Sequence, residues 1–277
     1  MNNKITTSVL RQYKSEGRPI VMLTAYDYPM AKLLDEAEVD MLLVGDSLGN
    51  VILGYDSTIP VTMEDMLHHV KAVCRGVKRA MVVADMPFMS YQISIQEALK
   101  NAGRLLQEGG AQAVKLEGGA AMADTVRAIV TAGIPVVGHL GLTPQSVNQL
   151  GGFKVQARDE QAAQKLFDDA QALEAAGAFA LVLECIPARL AKRVSESIAI
   201  PTIGIGAGAD CDGQVLVIHD LLGLHSGFTP KFVKKYADLH HDIMAAVQRY
   251  SSEVKAREFP SPEHCFKIAD TVLKKLY

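Results

Sequence analysis

The chain has 277 residues, 49% of them hydrophobic and 21% charged, with a formal net charge of −3. That balance excludes intrinsic disorder as its main state, and the length suits one large α/β barrel or two ordinary domains. Lys and Arg are scattered, which argues against a nucleic-acid partner, and apolar runs such as residues 41–44 are strand-sized, too short to span a bilayer.

Taken in chain order, one unit recurs: a helix, a small-residue turn and a short aliphatic strand. The amino terminus, MNNKITTSVLRQ, has no apolar signal region. Strands are predicted at 20–25, 40–45, 80–85, 113–117, 135–140, 180–184, 201–206 and 215–220. Eight strands are the number a (β/α)8 TIM barrel needs. Aromatic residues are only 6% and Trp is absent, so the core must be aliphatic, as buried parallel strands are.

Between the strands, residues 63–77 read as a helix with Met66, Val70, Val73 and Val77 on one face and a capping pair at Thr62 and Asp65. Ile95, Ala98, Ala102 and Leu105 mark a second helix, and Leu166, Ala170 and Leu173 a third. Val233, Tyr236, His240, Ile243 and Val247 predict a long one near the carboxyl end. Gly in the turns EGGAQAV and EAAGAFALVL stops the preceding helices. No linker divides the chain, so a single barrel domain over 1–277 is expected, with a helical C-terminal extension at 257–277. A doubly wound open sheet is the second architecture.

Chemistry in a barrel gathers at the carboxyl ends of its strands. Asp46 and Ser47 follow the second predicted strand, Asp85 ends the third, His139 lies in the fifth and Glu184 ends the sixth. In the fourth, the period of two puts Lys115 and Glu117 on one face. Singly these are ordinary caps, turn formers or core polar groups. Together, four carboxylates from four strands would share one mouth and need either protonation or a cation. Lys115 supplies one positive charge. Carboxylates without clustered Cys or His favour a hard ion such as Mg²⁺. Such an ion can hold a 2-oxo acid by its carboxylate and ketone, and as a Lewis acid stabilise an enolate. A base is then required, and Glu184, flanked by the apolar Leu183, Cys185 and Ile186, is the candidate.

Other motifs are weaker. GIGAG at 204–208 lacks dinucleotide-fingerprint spacing and reads as a tight turn. His68-His69 and His240-His241 sit in predicted helices, where adjacent side chains diverge and cannot chelate. Cys74, Cys185, Cys211 and Cys265 form no spaced framework and are expected to be free thiols in a reducing cytoplasm.

The stretches VGDSLG, GYDSTIPVTMEDM, ADMPFMSY, AVKLEGG, GHLGLTPQSV, GGFKVQAR, LVLECIPARLA and IPTIGIGAGADCDGQVLVIHDLLG, in this order, resemble the ketopantoate hydroxymethyltransferase family from residue 24 to about 253. The resemblance implies a (β/α)8 barrel of the phosphoenolpyruvate/pyruvate superfamily, usually decameric in bacteria. It implies transfer of a hydroxymethyl group from 5,10-methylenetetrahydrofolate to 3-methyl-2-oxobutanoate, giving 2-dehydropantoate for pantothenate biosynthesis. Carried over position by position, it implies metal binding by Asp46, Asp85 and Glu117, oxo-acid contacts from Asp46, Ser47, Asp85 and Lys115, and proton abstraction by Glu184, with His139 assisting. The chain departs from the family pattern at Asn50 and Tyr55, where Met and His often stand, and in a longer tail. The rival readings are a C–C lyase or phosphomutase of the isocitrate lyase superfamily, which typically carries a KKCGH-like loop absent here, and a non-catalytic oxo-acid-binding protein.

Overall fold

The computed structural model of the chain describes residues 4–225, 227 and 229–276. Eight parallel strands close into a barrel in sequence order: β1 Ile20–Thr24, β2 Met41–Val44, β3 Met81–Asp85, β4 Ala113–Glu117, β5 Val136–Gly141, β6 Ala180–Glu184, β7 Thr202–Ile205 and β8 Gly213–Leu216. β8 pairs with β1 through Ile20↔Gly213 to Leu23↔Leu216, which leaves no open edge. The fold is the expected (β/α)8 barrel.

The strands' parity builds the interior in tiers. Ile20, Met22, Met41, Leu43, Met81, Val83, Ala113, Val137, Ala180, Val182, Ile203 and Val215 form one apolar cluster inside the barrel. The next inward position along several strands is polar: Thr24, Asp85, Lys115 and Glu117, His139, and Glu184. The floor is therefore packed hydrocarbon and the mouth is charged. A helix at Thr7–Ser15 plugs the opposite end, adding Leu10 and Tyr13 to the same cluster. Lys14 pins it there, donating to the carbonyls of Ser195 and Ile200 and to Asp212.

The helix Met63–Gly76 starts with the predicted capping box, the Asp65 amide donating to Thr62 Oγ1 (3.1 Å) and the Thr62 amide to Asp65 Oδ2 (2.9 Å). Its buried face carries Met66, Val70 and Val73. Ala98, Ala102 and Leu105 are buried as predicted, whereas Ile95, in the first turn of its helix, is 38% exposed.

Two elements differ from expectation. β8 ends at Leu216, because the amide of Ile218 bonds Thr24 Oγ1 (2.9 Å) and the chain turns helical over Ile218–Leu221. The helix expected around 233–247 runs instead over Leu239–Ala256. The amide of Tyr236 donates to the Leu221 carbonyl, a partner no α-helical turn supplies, so Val233 and Tyr236 precede the helix although they match its periodicity. The chain clusters into two compact units, one comprising residues up to 218 with 229–233, the other 219–228 with 234–277. The first holds the barrel. The second is built on the helix Leu239–Ala256, which ends at Arg257 in the left-handed conformation. Among the described residues no helix is long and apolar enough to cross a membrane.

Candidate active site

Strand register sets the charged groups side by side. Asp85 pairs with Lys115 across β3 and β4, Glu117 with His139 across β4 and β5, and Gly141 with Glu184 across β5 and β6. The side chains follow suit. Lys115 Nζ lies 2.9 Å from Asp85 Oδ1 and 3.4 Å from His139 Nδ1. His139 Nδ1 is 3.4 Å from Glu117 Oε1, and its Nε2 is 3.2 Å from Glu184 Oε2. One charged row therefore crosses four strands.

Asp46 joins from the turn after β2. Its amide donates to Asp85 Oδ2 (3.0 Å), which ties the ends of β2 and β3 together. A Cβ at Gly45 would meet Ser47 Oγ at 2.8 Å and Asp85 Oδ2 at 3.4 Å, so the turn is tight enough to need glycine there. Ser47 Oγ lies 2.8 Å from the hydroxyl of Tyr26, a buried residue just beyond β1. All seven strand-end positions singled out by sequence thus have a defined place: Asp46, Asp85, Lys115, Glu117 and His139 are buried together, Ser47 is half-buried, and Glu184 is 17% exposed at the rim. Glu184 is less enclosed than its apolar sequence neighbours suggest, because Cys185 turns through φ +48° immediately after it and its side chain faces His139.

The electrostatics follow from this crowding. Burial, reinforced by Asp85 and Glu117, pushes the Asp46 carboxyl up to about 8. Burial also raises Asp85, against the pull of Lys115. Burial works against the Lys115 ammonium, but Asp85, Glu117 and Asp46 outweigh it and raise its pKa above the ordinary lysine value. At His139, burial and Lys115 oppose protonation while Glu117 and Glu184 favour it, and the pair of carboxylates wins, pushing the imidazole up to about 9. At neutral pH the Lys115 ammonium and the His139 imidazolium thus sit among the row's carboxyl groups.

Three uncharged residues in the site escaped the sequence reading. Gln145, from the segment after β5, donates through Nε2 to Asp46 Oδ2 (2.8 Å) and the Met86 carbonyl (3.0 Å), and its backbone amide donates to Glu117 Oε2 (3.1 Å). The Tyr91 hydroxyl lies 2.7 Å from Gln145 Oε1, and the Glu117 amide donates to that same hydroxyl (3.2 Å). Tyr26 holds Ser47. Gln145 and Tyr91 lie inside motifs already noted (GHLGLTPQSV and ADMPFMSY) and Tyr26 just beyond β1, but nothing in a neutral side chain marks it as facing the mouth. The two positions that depart from the family pattern meet in the loop beyond Asp46, where Asn50 Nδ2 donates to the Tyr55 carbonyl (2.8 Å).

Among the described residues no three His, Cys, Asp or Glu side chains are gathered around one ion position. The oxygens of Asp85, Asp46 and Glu117 are engaged by Lys115 and Gln145 instead. In donor type, however, the set fits a hard divalent cation: three buried carboxyl groups with all-oxygen donors, whose crowding a cation would relieve.

A closed parallel barrel with its buried charges collected at the strands' carboxyl ends defines a (β/α)8-barrel enzyme. Residues 4–262 match the model of the ketopantoate hydroxymethyltransferase family. The chain is 62% identical over 275 residues to the 3-methyl-2-oxobutanoate hydroxymethyltransferase of Carboxydothermus hydrogenoformans, covering 99% of this chain and 100% of that one. It is 64% identical over 263 residues to the protein of that name from Syntrophus aciditrophicus, covering 95% and 97%. The chain therefore belongs to the ketopantoate hydroxymethyltransferase family, and it is a one-carbon transferase. Among solved structures, a phosphonopyruvate hydrolase complexed with oxalate and Mg²⁺ is similar in fold (TM-score 0.57, 14% identity, covering 93% of this chain and 92% of that one). At that identity the likeness extends to the barrel alone, so the lyase and phosphomutase readings are not favoured.

Proposed function

We propose that this protein transfers a hydroxymethyl group from 5,10-methylenetetrahydrofolate to 3-methyl-2-oxobutanoate, giving 2-dehydropantoate. The observation that carries the reading is the row Asp85–Lys115–Glu117–His139–Glu184, which sets a carboxylate at the rim beside buried cations. Asp46, Asp85 and Glu117 would hold a divalent ion such as Mg²⁺, which when bound supplies Lewis-acid polarisation of the oxo acid's ketone. Ser47, oriented by Tyr26, and Lys115 face the oxo acid's oxygens. Glu184 accepts the proton from C3, the C–H electron pair becomes the second C2–C3 bond, and the carbonyl π pair moves onto the C2 oxygen. Lys115 stabilises the negative charge that develops there. His139, held protonated between Glu117 and Glu184, keeps Glu184 aimed. Water adds to the one-carbon unit as its bonds to the folate nitrogens break and tetrahydrofolate leaves, and C3 bonds to that carbon, whose oxygen takes up a proton as the product hydroxyl.

The protein is further proposed to act in the cytoplasm, consistent with four free cysteines, and to assemble as a homo-oligomer, a decamer in the family pattern. Ile243, Val247 and Tyr250, exposed along the helix Leu239–Ala256, support self-association. The deciding experiment is deuterium exchange at C3 of the oxo acid, without folate and with or without chelator. Wild type exchanges when metal is present. Glu184→Gln is expected to slow exchange at least about a hundredfold, as loss of a general base does. Exchange by the variant at the wild-type rate refutes the assignment.

A further inference from the structure

The chemistry above requires a bulky anionic co-substrate whose one-carbon end lies beside Glu184 and whose far end needs a place of its own. A groove of about 710 Å³ has Pro187, three residues beyond Glu184 in the chain, in its lining. One wall is the segment beginning at Ala157, the other the helix Ala188–Ser197. That helix starts four residues beyond Glu184, so the groove opens within roughly 10–15 Å of chain from the candidate base. The opposite wall is fastened to the same place: the Gln156 amide donates to the Cys185 carbonyl (2.8 Å). Ala157 then turns through φ +54° into the groove wall.

Arg158, Arg189, Lys192 and Arg193 line this groove in a chain whose net charge is negative. Lys192 is spoken for by Asp210 at 3.6 Å. The three arginines make no ion pair or side-chain hydrogen bond among the described residues. Of the acidic lining groups, Asp159 is occupied in capping its helix, where it accepts from the Ala162 amide (2.9 Å), which leaves Glu160 and Glu196. Pro187 and Leu190 add an apolar stretch nearest to β6. Three guanidiniums without partners in one groove leave positive charge uncompensated, and their planar forks suit carboxylates.

We propose that this groove binds the γ-linked glutamyl tail of the folate co-substrate. The inference rests on the folate reading above and extends it to the residues that hold the carrier. In the carrier, one aromatic ring and an amide separate the one-carbon unit from the first glutamyl carboxylate. The tail is a string of carboxylates that the arginines would take in turn, while the ring lies against Pro187 and Leu190.

The test compares KM for 5,10-methylenetetrahydrofolate carrying one glutamate with KM for the same carrier carrying five, using the purified full-length protein. Each exposed guanidinium–carboxylate pair contributes a factor of roughly 1.5 to 5, so the longer tail is expected to lower KM by about tenfold. Roughly 0.5 M NaCl should erase most of that preference. Arg189→Ala with Arg193→Ala is expected to bring the ratio of the two KM values close to one, and Arg189→Lys with Arg193→Lys to keep much of it. Thermal melting verifies that each variant is folded. Penta-γ-glutamate alone should inhibit wild type competitively and the double alanine variant far less. Equal KM for both carriers in wild type, or an unchanged ratio in the alanine variant, overturns the groove assignment while leaving the folate reading intact. No product from either carrier overturns both.

Discussion

Asp46 is where function and stability pull in opposite directions, and Asp46→Asn measures by how much. The Asp46 carboxyl is pushed from its ordinary value near 3.8 to about 8, first by burial and then by Asp85 and Glu117. A group whose folded-state pKa is raised contributes stability that is fully present below its unfolded value and lost as pH rises through the folded one. Here the loss runs from about pH 4 to about pH 8. At 1.36 kcal/mol per pKa unit it amounts to about 6 kcal/mol. Asparagine keeps the shape, still accepts from Gln145 through its amide oxygen, and carries no charge to desolvate. In chelator, urea unfolding of the two proteins should therefore agree near pH 4, while at pH 8 the variant is the more stable by at least about 2 kcal/mol. Adding Mg²⁺ should restore wild type by about 2.7 kcal/mol at a hundred times its dissociation constant and leave the variant unmoved. The variant should also lose metal-dependent turnover. An Asp46→Asn protein that gains nothing at pH 8, or that Mg²⁺ stabilises as much as wild type, refutes the reasoning.

Other outcomes follow from single contacts. Gln145→Leu removes the donor to Asp46 and the Met86 carbonyl and strands the Tyr91 hydroxyl, so it should cost about 1–3 kcal/mol in urea unfolding and slow C3 exchange as well. Gly141 has φ +93°, and a Cβ there would lie 2.2 Å from the Glu184 carbonyl oxygen; Gly141→Ala should cost at least about 3 kcal/mol, against about 1 for Gly17→Ala at φ +65° in open space, as thermal melting will show. Burial pushes the Cys74 thiol up to about 11 from an ordinary value of 9.0. The stability it adds is present below pH 9 and lost as pH rises to about 11, some 2–3 kcal/mol, and Cys74→Ala should flatten that part of the pH profile.

The barrel was legible because its strands are aliphatic and evenly spaced, and where reading failed the cause was a hydrogen bond that periodicity does not encode. Residues 215–220 continue a strand-like pattern, yet the Ile218 amide finds Thr24 Oγ1 and leaves the ladder. Val233 and Tyr236 keep helical spacing, yet the Tyr236 amide finds the Leu221 carbonyl. Neither partner lies within the reach of a helical turn: Thr24 is 194 residues from Ile218, and Leu221 lies outside the helix that Tyr236 would have begun.

In the site, charge was the readable signal. A carboxylate or lysine on an apolar strand is costly to bury alone, so its presence already implies company. Burial itself would not have identified the inner face, since Val114 and Leu116 are as buried on the helix side of β4 as Lys115 and Glu117 are within the barrel. The register supplies what parity lacks, setting Asp85 beside Lys115 and Glu117 beside His139. Gln145 and Tyr91 carry no charge and sit outside the strands, so their place depends on how two segments fold back over the mouth. The neutral groups that align the carboxylates are for this reason the part of the site that needed a structure, and Gln145 is where a substitution without any change of charge should still be felt by Asp46 and Glu117 together.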